Sequence, residues 1–168
     1  GESIAAVVAF DDITERKGME DARRESEHRY HTLFENMIDG YAYCRMIFEQ
    51  DQPQDFIYLA VNTAFETLTG LKNVAGRKAS EVIPGIREAN LRLLEIYGRV
   101  ARTGAPEKFE TYVEALKMWF AVSAYSPGRD HFVAVFDVIT ERKRTEEEVL
   151  RTHEQLRALA HRLEKVRE

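Results

Sequence analysis

The side chains that most often carry chemistry are few and far apart in this chain of 168 residues, which has one cysteine, Cys44, and five histidines. A thiol becomes reactive when neighbouring cations stabilise its thiolate. The only cation beside Cys44 is Arg45, which falls on the opposite face of an extended segment, so Cys44 reads as a small core residue. His28 and His31 stand three apart, a spacing that would put two imidazoles on one helix face as half of a metal site. No third or fourth ligand accompanies them, and they read as a solvated helix face. The nine glycines are scattered through turns rather than gathered into a phosphate loop, and neither a paired-carboxylate constellation nor a nucleophile with its base is present. With 29 acids against 24 bases, a net charge of −5 and both signs mixed along the chain, no basic stripe exists to follow a phosphate backbone. The expectation is a non-enzymatic chain with no metal and no nucleic-acid partner.

A single cysteine also excludes an internal disulfide framework and fits a reducing, cytoplasmic setting. Nothing resembles a signal peptide. No uninterrupted apolar run approaches the roughly 20 residues of a membrane helix, so no membrane contact within this chain is expected.

These sparse groups must be positioned by the elements around them. Ile4 to Phe10 is a short apolar β-type run, and Glu15 to Met37 then turn polar and helix-forming. Gly40 to Phe48 and Phe56 to Val61 read as two strands of a hairpin, joined by a turn over Gln50 to Asp55. Asn62 is placed to cap a short helix that Gly70 ends. A turn of helix near Ala79 to Ile83 and a longer helix from Ile86 to Thr103 follow, with Pro84 and Gly85 between them. Three strands complete the order: Glu107 to Ala115, Lys117 to Tyr125 and His131 to Ile139.

From Thr140 to Glu168 the chain is a charged helix in which Val149, Leu156 and Leu163 recur every seven residues, with Thr152, Leu159 and Val166 three after each. These are the a and d positions of about three coiled-coil heptads, and they predict a homodimer through Val149, Leu156, Leu159, Leu163 and Val166. The alternative is a single amphipathic helix lying on its own domain. His153 flanks this seam and reads as a coiled-coil flank.

"FDDITERK" from Phe10 returns as "FDVITERK" from Phe136, identical at seven of eight positions. Together with "NTAFETLTG" from Asn62, Gly76 and "SEVIPG" from Ser80, all in this order, the chain from about residue 35 to 143 resembles a PAS domain, whose exit motif "ITERK" resembles. That resemblance implies an α+β fold: a five-stranded antiparallel sheet with helices on one face, flanked by N- and C-terminal signalling helices. It divides the chain into residues 1–17, the last strand and exit motif of a preceding PAS domain; 18–36, a linker helix; 37–140, the PAS domain; and 141–168, a coiled-coil helix. An orphan strand at Ile4 to Phe10 would be disordered, absorbed into helix or paired with another chain. Asp12 and Glu15 are spaced as a capping box. In the second copy Val138 replaces that carboxylate, so Thr140 must cap, or Asp137 must reach.

Alternation along the last strands places Phe120, Val122 and Ala124 on one face with Phe132, Ala134 and Phe136. The resemblance turns this face, with Ala42, Cys44, Phe65 and Tyr97, toward the internal helices and any cavity. A filled core and a cavity holding a small-molecule ligand both remain open. Trp119, Tyr125, Val133 and Val135, with Tyr41 and Tyr43, take the other face. They are expected to be covered by Leu33, Phe34 and Met37 or by another subunit.

Haem-binding relatives use a histidine on the long helix and flavin-reactive relatives a cysteine in the segment where this chain has "GRKASE", so both cofactors are argued against and the cofactor is left unknown. The chain's end resembles the run-in to sensor histidine kinase dimerisation helices. The implied function is a sensing and dimerisation module of such a kinase, passing a signal through Asp137, Ile139 and Thr140. A ligand-free spacer, or a sensor for another output such as a cyclic-dinucleotide enzyme, are the alternatives. Phosphorylation of His153 or His161 is a third.

Overall fold

The computed structural model describes the backbone of residues 2–167 and the side chains of residues 13–167. β1 (Gly40–Glu49) and β2 (Gln52–Val61) form a hairpin whose two-residue turn, Gln50 and Asp51, has positive φ at both positions, 51° and 60°. Such a turn matches the right-handed twist of the strands it joins. The turn is therefore shorter than the expected one, and Pro53 sits inside β2. That is tolerated because β2 is an edge strand, where a missing N–H leaves no ladder partner unpaired.

α2 (Thr63–Thr69) begins at Asn62, whose side chain accepts from the Phe65 N–H, and ends at Gly70 with φ of 76°. After α3 (Ala79–Val82), the expected long helix is two: α4 (Ile86–Ala89) and α5 (Leu91–Thr103). Asn90 separates them at φ −124° and ψ 45°, and its Nδ2 donates to the Tyr112 carbonyl 2.8 Å away. That bond ties the break between the two helices to the strand that carries Tyr112.

β3 (Glu107–Val113), β4 (Met118–Tyr125) and β5 (His131–Val138) complete an antiparallel sheet of order β2-β1-β5-β4-β3. Chain-distant β1 and β5 are thus neighbours at its centre. Helices α2 to α5 cover one face and enclose the core. Arg102 of α5 lies 3.9 Å over the Phe48 ring and 3.0 Å from the Asp130 carboxylate, tying the helix to the β1–β2 hairpin and the β4–β5 turn.

Two helices flank this unit. α1 (Glu2–Asn36) runs through Ile4 to Phe10, so the segment read as a strand is helical, one of the three fates expected for it. A lone strand has no ladder to satisfy its backbone, whereas a helix closes its hydrogen bonds internally. Asp12 accordingly lies inside a helix rather than at a start, which removes the capping box; its side chain is outside the described residues. α6 (Thr140–Arg167) follows β5 after one residue, Ile139, and buries none of its own side chains.

Candidate ligand cavity and its link to the terminal helix

Between the sheet and the helices lies a cavity of about 70 Å³. Of the nine residues expected there, Ala42, Cys44, Phe65, Tyr97, Phe120, Val122, Phe132 and Phe136 line it. Ala124 is buried but not in the wall. It pairs with Glu107, the first residue of β3, two positions beyond Val122, and its single methyl does not reach the space under Phe120 and Val122. Ala134, placed on this face by alternation, does line it.

The sequence reading missed the walls from β2, β3 and the β3–β4 turn, chiefly Phe56, Tyr58, Thr111, Val113 and Leu116. Alternation of Phe56 and Tyr58 marks an inward face in β2. Which face pairs with Cys44 depends on the bulge between Tyr43 and Cys44, which sequence does not announce. One wall is an aromatic stack: Tyr97 lies nearly parallel to Phe132 at 4.2 Å between centroids, and Phe56 meets both edge-on at 5.6 and 5.3 Å.

Among the described residues no charged side chain lines the cavity. Burial drives the Cys44 thiol and the Tyr58 and Tyr97 phenols far above their ordinary pKa values, and the neighbouring Cys44 pushes both phenols further. All three are therefore uncharged. A neutral, fully buried thiol is a poor nucleophile and metal ligand, and among the described residues no cluster of three or more His, Cys, Asp or Glu that could hold a metal exists.

The same strands that wall the cavity on one face grip α6 on the other. Thr111 and Phe120 point inward, while their chain neighbours Glu110 and Trp119 point out. At the junction the Ile139 N–H donates to the Trp119 carbonyl at 2.8 Å, and the Trp119 N–H donates to Thr140 Oγ1 at 3.0 Å. The threonine hydroxyl takes the place of the next ladder carbonyl, so it is spent on β4 rather than on capping α6. Ile139 is buried, whereas the Asp137 carboxylate is exposed and bonds to no described residue.

A further grip comes from residues the sequence reading did not select. Glu110 takes Arg142 and Lys143 at 2.5 Å each, and Lys143 also lies 5.0 Å over the Trp119 ring. No local spacing signals a contact across 32 residues.

The two cations hold the Glu110 carboxyl below its ordinary value of 4.5, Lys143 foremost. A depressed folded pKa contributes attachment that is complete above the ordinary value and lost as pH falls through the depressed one. Protection of the Arg142 and Lys143 backbone amides, measured relative to their intrinsic exchange at each pH, is expected to fall in that acid window in the native chain and to be pH-insensitive there in Glu110→Gln. Identical profiles would remove Glu110 from the junction.

α1 is anchored separately. Asn62 is 1% exposed and makes four hydrogen bonds: Oδ1 accepts from Tyr41 and Phe65 N–H groups at 2.9 and 3.0 Å, and Nδ2 donates to the Phe34 and Asp39 carbonyls at 3.2 and 3.0 Å. Glu35 accepts from both the hydroxyl and the backbone N–H of Thr63. The end of α1 is thereby fixed to α2 and β1.

It covers the outer face only at one corner, where Phe34 meets the Tyr41 ring edge-on at 4.8 Å, while Leu33 stays exposed. The expected cover through Leu33 and Met37 is thus largely replaced by the sheet's own side chains: Tyr43 stacks on His131, Tyr112 leans on Trp119, and Val133 is buried beneath. The reason is the Asn62 anchor, which seats α1 against α2 rather than across the strands.

A five-stranded antiparallel sheet with this order, helices on one face and a helix leaving its last strand, is a known architecture, and residues 28–102 match the family model of the PAS domain. The fold is PAS-like. An RNA-binding light-oxygen-voltage receptor superposes on it with a TM-score of 0.52 at 20% identity, covering 80% of this chain and 37% of that one. The chain thus spans little more than a third of that protein.

A domain of an HTR-like protein from Haloarcula marismortui aligns over 62% of this chain and 100% of its own at 20% identity (TM-score 0.47). The PAS domain of BvgS from Bordetella pertussis aligns over 81% and 98% at 15% identity (TM-score 0.42). At these identities the PAS likeness concerns architecture alone. No curated protein matches the chain, and among the described residues no helix is long and apolar enough to cross a membrane.

Proposed function

We propose that this chain is a sensing and dimerisation module of a cytoplasmic sensor histidine kinase, non-enzymatic in itself, in which occupancy of the PAS cavity is passed to α6. The observation that carries this reading is the two-sidedness of β3 and β4. Thr111 and Phe120 touch the cavity, and the adjacent Glu110 and Trp119 hold the first turn of α6. A molecule that displaces the first pair must tilt the second, because neighbouring residues of a strand share one rigid backbone. Switching then requires two packings of α6, and the ligand acts only by binding one of them better.

Dimerisation through α6 rests on its heptad stripe. Val149, Leu156, Leu159, Leu163 and Val166 are each between 54 and 83% exposed, and among the described residues no other element covers them. Apolar a and d positions left in water along one seam are what a partner helix buries. Leu156→Lys with Leu163→Lys is expected to convert a dimer to monomers by light scattering, with thermal unfolding of the sheet unchanged. A dimer that survives both charges would refute the seam.

Ala134→Val, which intrudes on the cavity, tests transmission. Spin labels at Arg151→Cys across the dimer are expected to redistribute their separations. An unmoved distribution favours the second reading, a ligand-free spacer. A specific feature supports that rival: ligand pockets usually measure about 300 Å³ or more, well above this cavity.

A further inference from the structure

The cavity wall reaches α1 as well as α6, and a missing side chain shows where. Gly40, the first residue of β1, stands opposite Phe136 of β5, and a Cβ added to it would lie within 2.7 Å of three atoms of the Phe136 ring. Gly40 is not among the residues with positive φ, so what calls for glycine here is the close approach of the ring. Phe136 is 7% exposed and lines the cavity, where it meets Phe65 edge-on at 5.7 Å and Phe120 edge-on at 5.4 Å. One ring thus rests on the point where the chain enters the sheet from α1, on α2 and on β4.

Both ends of this contact are short. Toward α1, Asn62 accepts from the Phe65 N–H and donates to the carbonyl of Asp39, the residue before Gly40, each at 3.0 Å. Glu35, in the last turn of α1, accepts from the Thr63 N–H at 3.3 Å. A displacement of α1 therefore carries Gly40 and Phe65 with it, and both press on Phe136. Toward α6, Phe136 precedes the buried Ile139 by three residues, and Phe120 adjoins Trp119, whose backbone bonds to Ile139 and Thr140. The space of about 70 Å³ that Phe136 lines gives the ring a second place to go.

Resting on the α6 end of the reading above, we propose that Phe136 is a relay between the two flanking helices. With its ring on Gly40 the domain holds one packing of α6; a shift of α1 that drives Gly40 against the ring turns it into the cavity and favours the other. The position of α1 is then an input of its own that needs no ligand, and the coupling acts equally from α6 back to α1. Room for a moving ring also accounts for a cavity well below the usual size of a ligand pocket.

Gly40→Ala places a Cβ where the ring lies and imitates that shift. In the full chain, with 13C-labelled phenylalanine, it is expected to move the ring resonances of Phe136, Phe65 and Phe120. Spin labels at Arg151→Cys across the dimer should change their separation by about 1–2 Å, the size of ordinary helix shifts. In a Phe136→Leu background, where no ring reaches residue 40, adding Gly40→Ala is expected to leave the separation unmoved. That loss of effect is what identifies the ring as the carrier. Glu35→Ala loosens α1 from Thr63 without altering the core, and is expected to move the Phe136 resonances and the labels, again only while the ring is present.

A label separation that ignores Gly40→Ala although the Phe136 ring has moved, or one that responds equally in the Phe136→Leu background, would overturn the relay. Should Gly40→Ala fail to fold, Glu35→Ala decides alone, and unmoved Phe136 resonances or unmoved labels overturn the proposal. Labels that respond to Ala134→Val but to neither of these changes remove the relay and leave the sensor reading standing, whereas labels that ignore all three remove both.

Discussion

Asn62→Ala is expected to destabilise the folded chain by about 4 kcal/mol and to lower its midpoint by roughly 10 °C, and to release the last turn of α1 from the sheet. The size follows from what the side chain does. It is 1% exposed and occupies two backbone donors and two backbone acceptors from four segments: the end of α1, the α1–β1 connection, β1 and α2. A capping asparagine alone contributes about 1 kcal/mol. The remainder comes from leaving part-buried N–H and C=O groups at Tyr41, Phe34 and Asp39 without partners.

Asn62→Asp separates the roles. A carboxylate still accepts from Tyr41 and Phe65 but faces the Phe34 and Asp39 carbonyls with no donor, so amide exchange in the last turn of α1 should rise while α2 stays protected. Urea unfolding and site-resolved exchange measure both. A loss below about 1 kcal/mol for Asn62→Ala would reduce the residue to a simple cap.

Phe132→Ala is expected to cost about 4 kcal/mol, the usual range for a fully buried aromatic, and at the same time to widen the cavity enough to admit a benzene-sized probe. Phe132 is 0% exposed on central strand β5, stacked on Tyr97 and met edge-on by Phe56. Removing its ring deletes the partner of that stack and joins its volume to the existing 70 Å³. The native chain should show no benzene-dependent thermal shift, and the variant should show a clear one. If the variant is destabilised yet refuses benzene, the walls have collapsed into the gap, and the cavity is not held open by its aromatic frame.

The order of elements was legible because it rests on local physics. Strand alternation separated Phe120, Val122, Phe132 and Phe136 from Trp119, Val133 and Val135, and the structure puts the two sets on opposite faces. Asn62 and Gly70 marked the ends of α2 because a cap and a left-handed residue act within a few positions of themselves. The heptad stripe of α6 was equally plain, since its period lies in the sequence itself.

What sequence could not supply was anything decided between segments. Ile4 to Phe10 has the composition of a strand, but without neighbouring strands its backbone is satisfied only as part of α1. The break at Asn90 is tied to a carbonyl 22 residues away on β3, and Glu110 meets Arg142 and Lys143 only because β3 and the start of α6 both lie against β4. Composition and periodicity, acting over a few residues, determined the strands, the caps and the heptads. The size of the cavity and the grip on α6 belong to packing across the sheet, where distances depend on every element at once and no short stretch of chain contains them.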